Sequence, residues 1–118
     1  MFEKDMRVAE LIDIYGALLS DRRREIIEAY YFDDLSLSEI ADNTGISRQG
    51  VRDSIKKSEN ELRSYEFNLH LNKRLHDLNA KINQIADELE KHISSLPPED
   101  REIEILKQFT SEMRSINI

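Results

Sequence analysis

The sequence predicts an all-α protein: a helix-turn-helix head, then a long coiled-coil-like helical arm and a C-terminal helix. Three observations predict it. Only 3 Gly and 2 Pro interrupt 118 residues. Apolar residues recur at helical spacing along most of the chain. Residues 36–58, SLSEIADNTGISRQGVRDSIKKS, carry the punctuation of two helices around one glycine.

The first helix is expected over residues 4–19, where Val8, Leu11, Ile12, Tyr15, Leu18 and Leu19 form one stripe. Ser20 is the next cap, and Ile26, Ile27, Tyr30 and Tyr31 mark a second helix over 21–32. The aromatic run Tyr30, Tyr31, Phe32 is expected to fill the core of the head. Asp33, Asp34 and Leu35 connect to Ser36, which with Glu39 makes a capping box. Leu37, Ile40 and Ala41 give that helix its apolar face. Gly45 supplies the left-handed residue that ends it, and Ile46 is the plug of the turn. Ser47 caps the next helix, whose buried positions are Val51 and Ile55. Arg48, Gln49, Arg52, Lys56 and Lys57 are left to point outward, as in a helix that enters a DNA major groove.

No Pro or Gly lies between 51 and 96, so helix is expected to continue for a long way. Leu71, Leu75, Leu78, Ile82, Ile85 and Leu89 alternate steps of 4 and 3, and His92 and Leu96 keep the frame. That is a heptad seam, expected to dimerise the chain. Each such residue contributes roughly 1.5–3 kcal/mol when buried, and six left exposed would be unusual on a monomer. The flanking charges Arg74, Lys81 and Glu88 leave parallel and antiparallel pairing open. Pro97 and Pro98 break the arm, and Pro98 with Glu99 and Asp100 is expected to start the last helix. Its apolar face is Ile103, Leu106, Phe109, Met113 and Ile116. The expected organisation is a head over 1–60 and a dimerising arm with its final helix over 61–118.

Composition bounds function. The net charge is −7, with −3 in residues 1–58 and −4 in 59–118. A polyanion partner normally meets an excess of Lys and Arg. Within 36–58, four basic residues stand against three acidic ones, so the second helix of the pair is locally basic on an acidic body. Cysteine is absent, which excludes disulfides and thiolate metal sites and suits a reducing cytoplasm. No apolar run is long enough for a membrane span. The start, MFEKDMRVAEL, lacks the order of a signal peptide. His70, His76 and His92 have no ligand spacing, so no metal is expected. With no phosphate-cradling loop and no nucleophile–base pair, no enzyme, cofactor or small-molecule substrate is expected.

Three stretches resemble a known domain: LSDRRREII from Leu19, YYFDDLSLSEIA from Tyr30 and GISRQGV from Gly45. They resemble the promoter-reading C-terminal domain of bacterial sigma factors. The closer resemblance, over about residues 3–71, is to YlxM-type proteins, a small bacterial family of helix-turn-helix proteins with that domain. The resemblance implies a sigma-factor-like head, DNA binding, and a regulatory role in the signal recognition particle pathway. Gly50 departs from the Ala that the family pattern leads one to expect, and Gly within a helix costs about 1 kcal/mol against Ala.

The expected nucleic-acid residues are Ser47, Arg48, Gln49, Arg52, Lys56 and Lys57, with Arg22 and Arg23. Gln49 and Arg52 would meet base edges, since Arg suits guanine and Gln adenine. Arg48, Lys56 and Lys57 would hold phosphates. Arg22, Arg23 and Arg24 open a helix, where they either clamp the DNA backbone or are neutralised by Asp21, Glu25 and Glu28. The alternative from another class is an adaptor of the protein-targeting machinery. It would bind signal recognition particle RNA or protein and read no DNA sequence.

Overall fold

The computed structural model describes residues 4–116, and those residues form helices joined by turns, with no strand among them. The all-α class is as expected. The chain divides into two units, residues 1–72 and 73–118.

In the first unit, α1 (Met6–Tyr15) is capped by Asp5, which accepts from the Arg7 amide at 2.9 Å. Helix does not continue to 19 as expected. At Gly16 it tightens into a 3₁₀ turn, Gly16–Leu18. With fewer residues per turn the stripe rotates, so Leu19 is buried while Leu18 is 56% exposed. The α2 helix (Asp21–Tyr31) follows its Ser20 cap and buries Ile26, Ile27 and Tyr30. The aromatic run is not all core. Tyr31 is half-buried, and Phe32, at the C-cap of α2, is exposed.

The helix-turn-helix forms as its punctuation requires. Ser36 Oγ accepts from the Glu39 amide, and Glu39 Oε1 accepts from the Ser36 amide, so α3 (Leu37–Thr44) opens with both halves of the capping box. Gly45 closes it at φ +76°, in the left-handed region. Then α4 runs from Arg48 to Leu69.

Two apolar clusters hold the unit together. One gathers Val8, Leu11, Ile12, Tyr15, Leu19, Ile27 and Leu62. The other gathers Ile26, Tyr30, Ile40, Ala41, Val51 and Ile55. Both α2 and α4 reach into each cluster: Ile27 and Leu62 join the first, and Ile26, Tyr30, Val51 and Ile55 the second. Polar ties add to this. Tyr31 donates its hydroxyl to Glu59, and burial with that bond pushes the phenol well above its ordinary pKa.

The long helix expected beyond residue 51 is interrupted. His70 caps α4 in the left-handed region, φ 55°, with its amide bonded to the Glu66 carbonyl at 2.8 Å. His is among the non-glycine residues that tolerate this conformation. The next amides find side chains of the first unit. Leu71 N donates to the Tyr15 hydroxyl at 3.0 Å, and Asn72 N donates to Glu66 Oε1 at 3.0 Å. Tyr15 donates in turn to Glu66 at 2.8 Å. These bonds satisfy the open end of α5 (Leu71–Ser95) and explain a break without Pro or Gly.

In the second unit, α5 and α6 (Ile103–Ser115) form an antiparallel hairpin. Arg114 bonds Asp87 at 2.6 Å and Glu90 at 2.9 Å. The last helix starts later than Pro98. The Asp100 amide bonds the Pro97 carbonyl and its side chain accepts from Glu102 N, so residues 97–102 turn before helix resumes. Ala86, Ile93 and Thr110 are the buried centre of the hairpin.

Candidate nucleic-acid interface

Ser47 Oγ accepts from the Gly50 amide at 3.0 Å, which fixes the first turn of α4. Ile46 is half-buried beside the second apolar cluster. Val51 and Ile55, both fully buried, then hold one side of the helix against α2 and α3. That orientation decides what is presented. At about 100° per residue, Gln49, Arg52, Asp53 and Lys56 share the opposite face, at i, i+3, i+4 and i+7. Gln49, Asp53 and Lys56 are exposed, and Arg52 is half-buried. Ser47, Arg48 and Lys57 are exposed as well, with Arg48 in the first turn and Lys57 on the far flank.

Asp53 was not among the expected site residues, although a simple count of i, i+4 from Gln49 places it there. Its Oδ1 accepts from Gln49 Nε2 at 2.9 Å. The pair has two consequences. Gln49 presents its amide already oriented by a carboxylate, and a negative group stands within an otherwise basic face. A carboxylate at a base edge accepts from the amino group of cytosine, and beside a phosphate it repels.

The arginine triplet is drawn toward the protein. Arg22 Nη2 donates to the Thr44 carbonyl at 2.5 Å, which satisfies the C-terminal end of α3 next to Gly45. Arg22 therefore borders the turn of the motif and is exposed there. Arg23 bonds Glu61 at 3.1 Å with both side chains about two-thirds covered, a tie between α2 and the middle of α4. Arg24 pairs with Glu28 one turn along its own helix. The structure thus brings Arg22 to the turn of the motif and engages Arg23 elsewhere.

The expected dimerisation residues split into two sets. Leu75, Ile82 and Leu89 are half-buried, whereas Leu71, Leu78 and Ile85 are exposed. Among the described residues no three His, Asp or Glu side chains gather as metal ligands, and no helix is long and apolar enough to cross a membrane.

Residues 2–107 match the family described as "Putative helix-turn-helix protein, YlxM / p13 like". A UPF0122 protein of Thermoanaerobacter sp. (strain X514) is 40% identical over 111 residues, 92% of each chain. One from Thermoanaerobacter pseudethanolicus is 42% identical over 106 residues, 90% of this chain and 87% of the relative. One from Streptococcus pyogenes serotype M5 is 51% identical over 69 residues, 58% of this chain and 61% of the relative.

Proposed function

The chain belongs to the YlxM / p13-like helix-turn-helix family, and on that premise we propose that it is a non-enzymatic, cytoplasmic regulator that binds duplex DNA as a homodimer. The observation that carries this is the face of α4. Gln49, Arg52 and Lys56 project together from a helix whose other side is clamped by Val51 and Ile55. Ser47, at the N-terminus of α4, and Arg48 sit where a helix meets a phosphate, and Arg22 flanks the turn. Lys57 adds charge at the rim. Arg23, held by Glu61, has the weakest part in contact.

A second reading is favoured by two observations: the net charge of −7 and Asp53 within the presented face. In it the head is an adaptor for signal recognition particle RNA or protein, in the targeting pathway that the family resemblance implies. One titration separates the two. Duplex DNA, signal recognition particle RNA and the assembled particle are each offered at about 50 and about 200 mM salt. DNA reading predicts sequence-selective duplex binding, a steep salt slope and loss on Arg52→Ala. Binding to the RNA or the particle alone would overturn it in favour of the adaptor.

A further inference from the structure

The hairpin of the second unit has one polar side and one apolar side. A wheel of about 100° per residue puts Leu78 and Ile85 on the flank of α5 opposite Asp87 and Glu90. On α6 it puts Phe109 on the flank opposite Arg114. Because Arg114 bonds Asp87 and Glu90, the polar flanks of the two helices lie together on one side. Leu78, Ile85 and Phe109 therefore share the other side. They are 45%, 43% and 53% exposed, in the order just given. A contiguous patch of this kind marks an association surface.

We infer that this face docks on the same face of a second copy of the chain, with the two α5 helices antiparallel and the two-fold axis at Lys81. This rests on the dimeric part of the function proposed above and supplies its surface and orientation. The occupant follows from charge. Arg74, Lys81 and Glu88 stand seven residues apart along the edge bordering Leu78 and Ile85. Antiparallel pairing about Lys81 sets Arg74 against Glu88 of the second copy, and symmetry repeats that pair at the other end. Only Lys81 meets its like, and its long stem lets the ammonium groups diverge into solvent. Parallel pairing would carry the two copies of this edge to opposite sides of the seam, where Arg74 and Glu88 could not meet. The same register layers Leu78 beside Ile82 of the second copy and Ile85 beside its Leu75, which is the interleaving an antiparallel seam requires. In sequence both edges of the seam are available and orientation stays open. The structure closes the edge containing Ala86 and Ile93 with α6 and leaves the Arg74–Lys81–Glu88 edge accessible.

The test is the mass and dissociation constant of the full chain by analytical ultracentrifugation, up to about 100 μM. A dimer is expected. Ile85→Asp should weaken it at least about 100-fold with helix content unchanged, since Ile85 is exposed within one chain. Arg74→Glu should weaken it about tenfold, and Arg74→Glu with Glu88→Arg should restore it. A wild-type monomer, a dimer indifferent to Ile85→Asp, or a double variant no tighter than Arg74→Glu alone would each overturn the inference. Duplex binding measured on the same samples keeps the two proposals apart. A monomer that still binds duplex refutes this interface and leaves DNA reading standing. A dimer with the predicted charge reversal that binds no duplex supports this interface and refutes DNA reading.

Discussion

The two units handle similar side chains in opposite ways. The first unit encloses its Leu, Ile and Tyr between four helices, so that Val8, Ile27, Val51, Ile55 and Leu62 are fully buried. The second has only two helices, and its buried centre consists of Ala86, Ile93 and Thr110. A helix pair can cover one strip of each partner and no more. Helical spacing therefore says that a residue belongs to an apolar stripe, while the number of surrounding helices decides whether the stripe is dry. Leu62 and Leu78 show the difference: one is sealed, the other 45% exposed.

Truncating the two leucines should expose the contrast most strongly. Leu62→Ala should lower the unfolding free energy of the head by about 2–5 kcal/mol, whereas Leu78→Ala should cost under about 1 kcal/mol in dilute solution. Urea titrations followed by circular dichroism would read both, and equal losses would dissolve the distinction.

Buried polar ties offer the next test. Tyr31→Phe leaves Glu59, only 8% exposed, without the hydroxyl that donates to it, at a cost of about 1–3 kcal/mol. The same bond makes the head sensitive to alkali. Burial first, then the hydrogen bond to Glu59, raises the Tyr31 phenol above its ordinary 10.0. Stability from a raised pKa is complete below the unfolded value and is lost as pH climbs toward the folded one. Head stability should therefore fall from about pH 10 upward. Thermal melts between neutral and strongly alkaline pH should show a shallower decline in Tyr31→Phe than in the parent.

Smaller effects sharpen the picture. Ser58 is fully buried in α4 and its Oγ has no hydrogen-bond partner. Ser58→Ala should raise the melting temperature, with a gain of about 1 kcal/mol, and a loss would reveal a partner for that hydroxyl. Gly50→Ala should change least. The added Cβ would lie 3.2 Å from Ser47 Oγ, close enough to disturb the cap, which offsets part of the helical gain. A net increase below about 1 kcal/mol is expected by urea titration, and a decrease would mean that the Ser47 hydroxyl cannot shift.

What sequence could read was local. The Ser36–Glu39 box, Gly45 and the Ser47 cap each depend on residues within four positions, and each forms as its chemistry dictates. The misses are longer-range. The bend at His70 depends on Tyr15, 55 positions earlier in the chain, whose hydroxyl accepts from Leu71 N. The Arg22 and Arg23 contacts depend on Thr44 and Glu61, and no spacing rule connects those pairs. Phe32 has core chemistry, but the helix ends one residue before it and the turn carries it outward. Asp53 is a different case. Helical spacing alone puts it one turn after Gln49 on the same face.

One feature of α4 reaches beyond stability. Both clusters grip the helix from a single side, at Val51, Ile55 and Leu62, while positions 49, 52, 53 and 56 take no part in that grip. Exchanges at exposed positions such as Gln49, Asp53 and Lys56 usually alter folding by no more than about 0.5 kcal/mol. Mutation can therefore rewrite what this head recognises without first rebuilding the head. Descendants of one such chain could diverge in target while inheriting the same chassis.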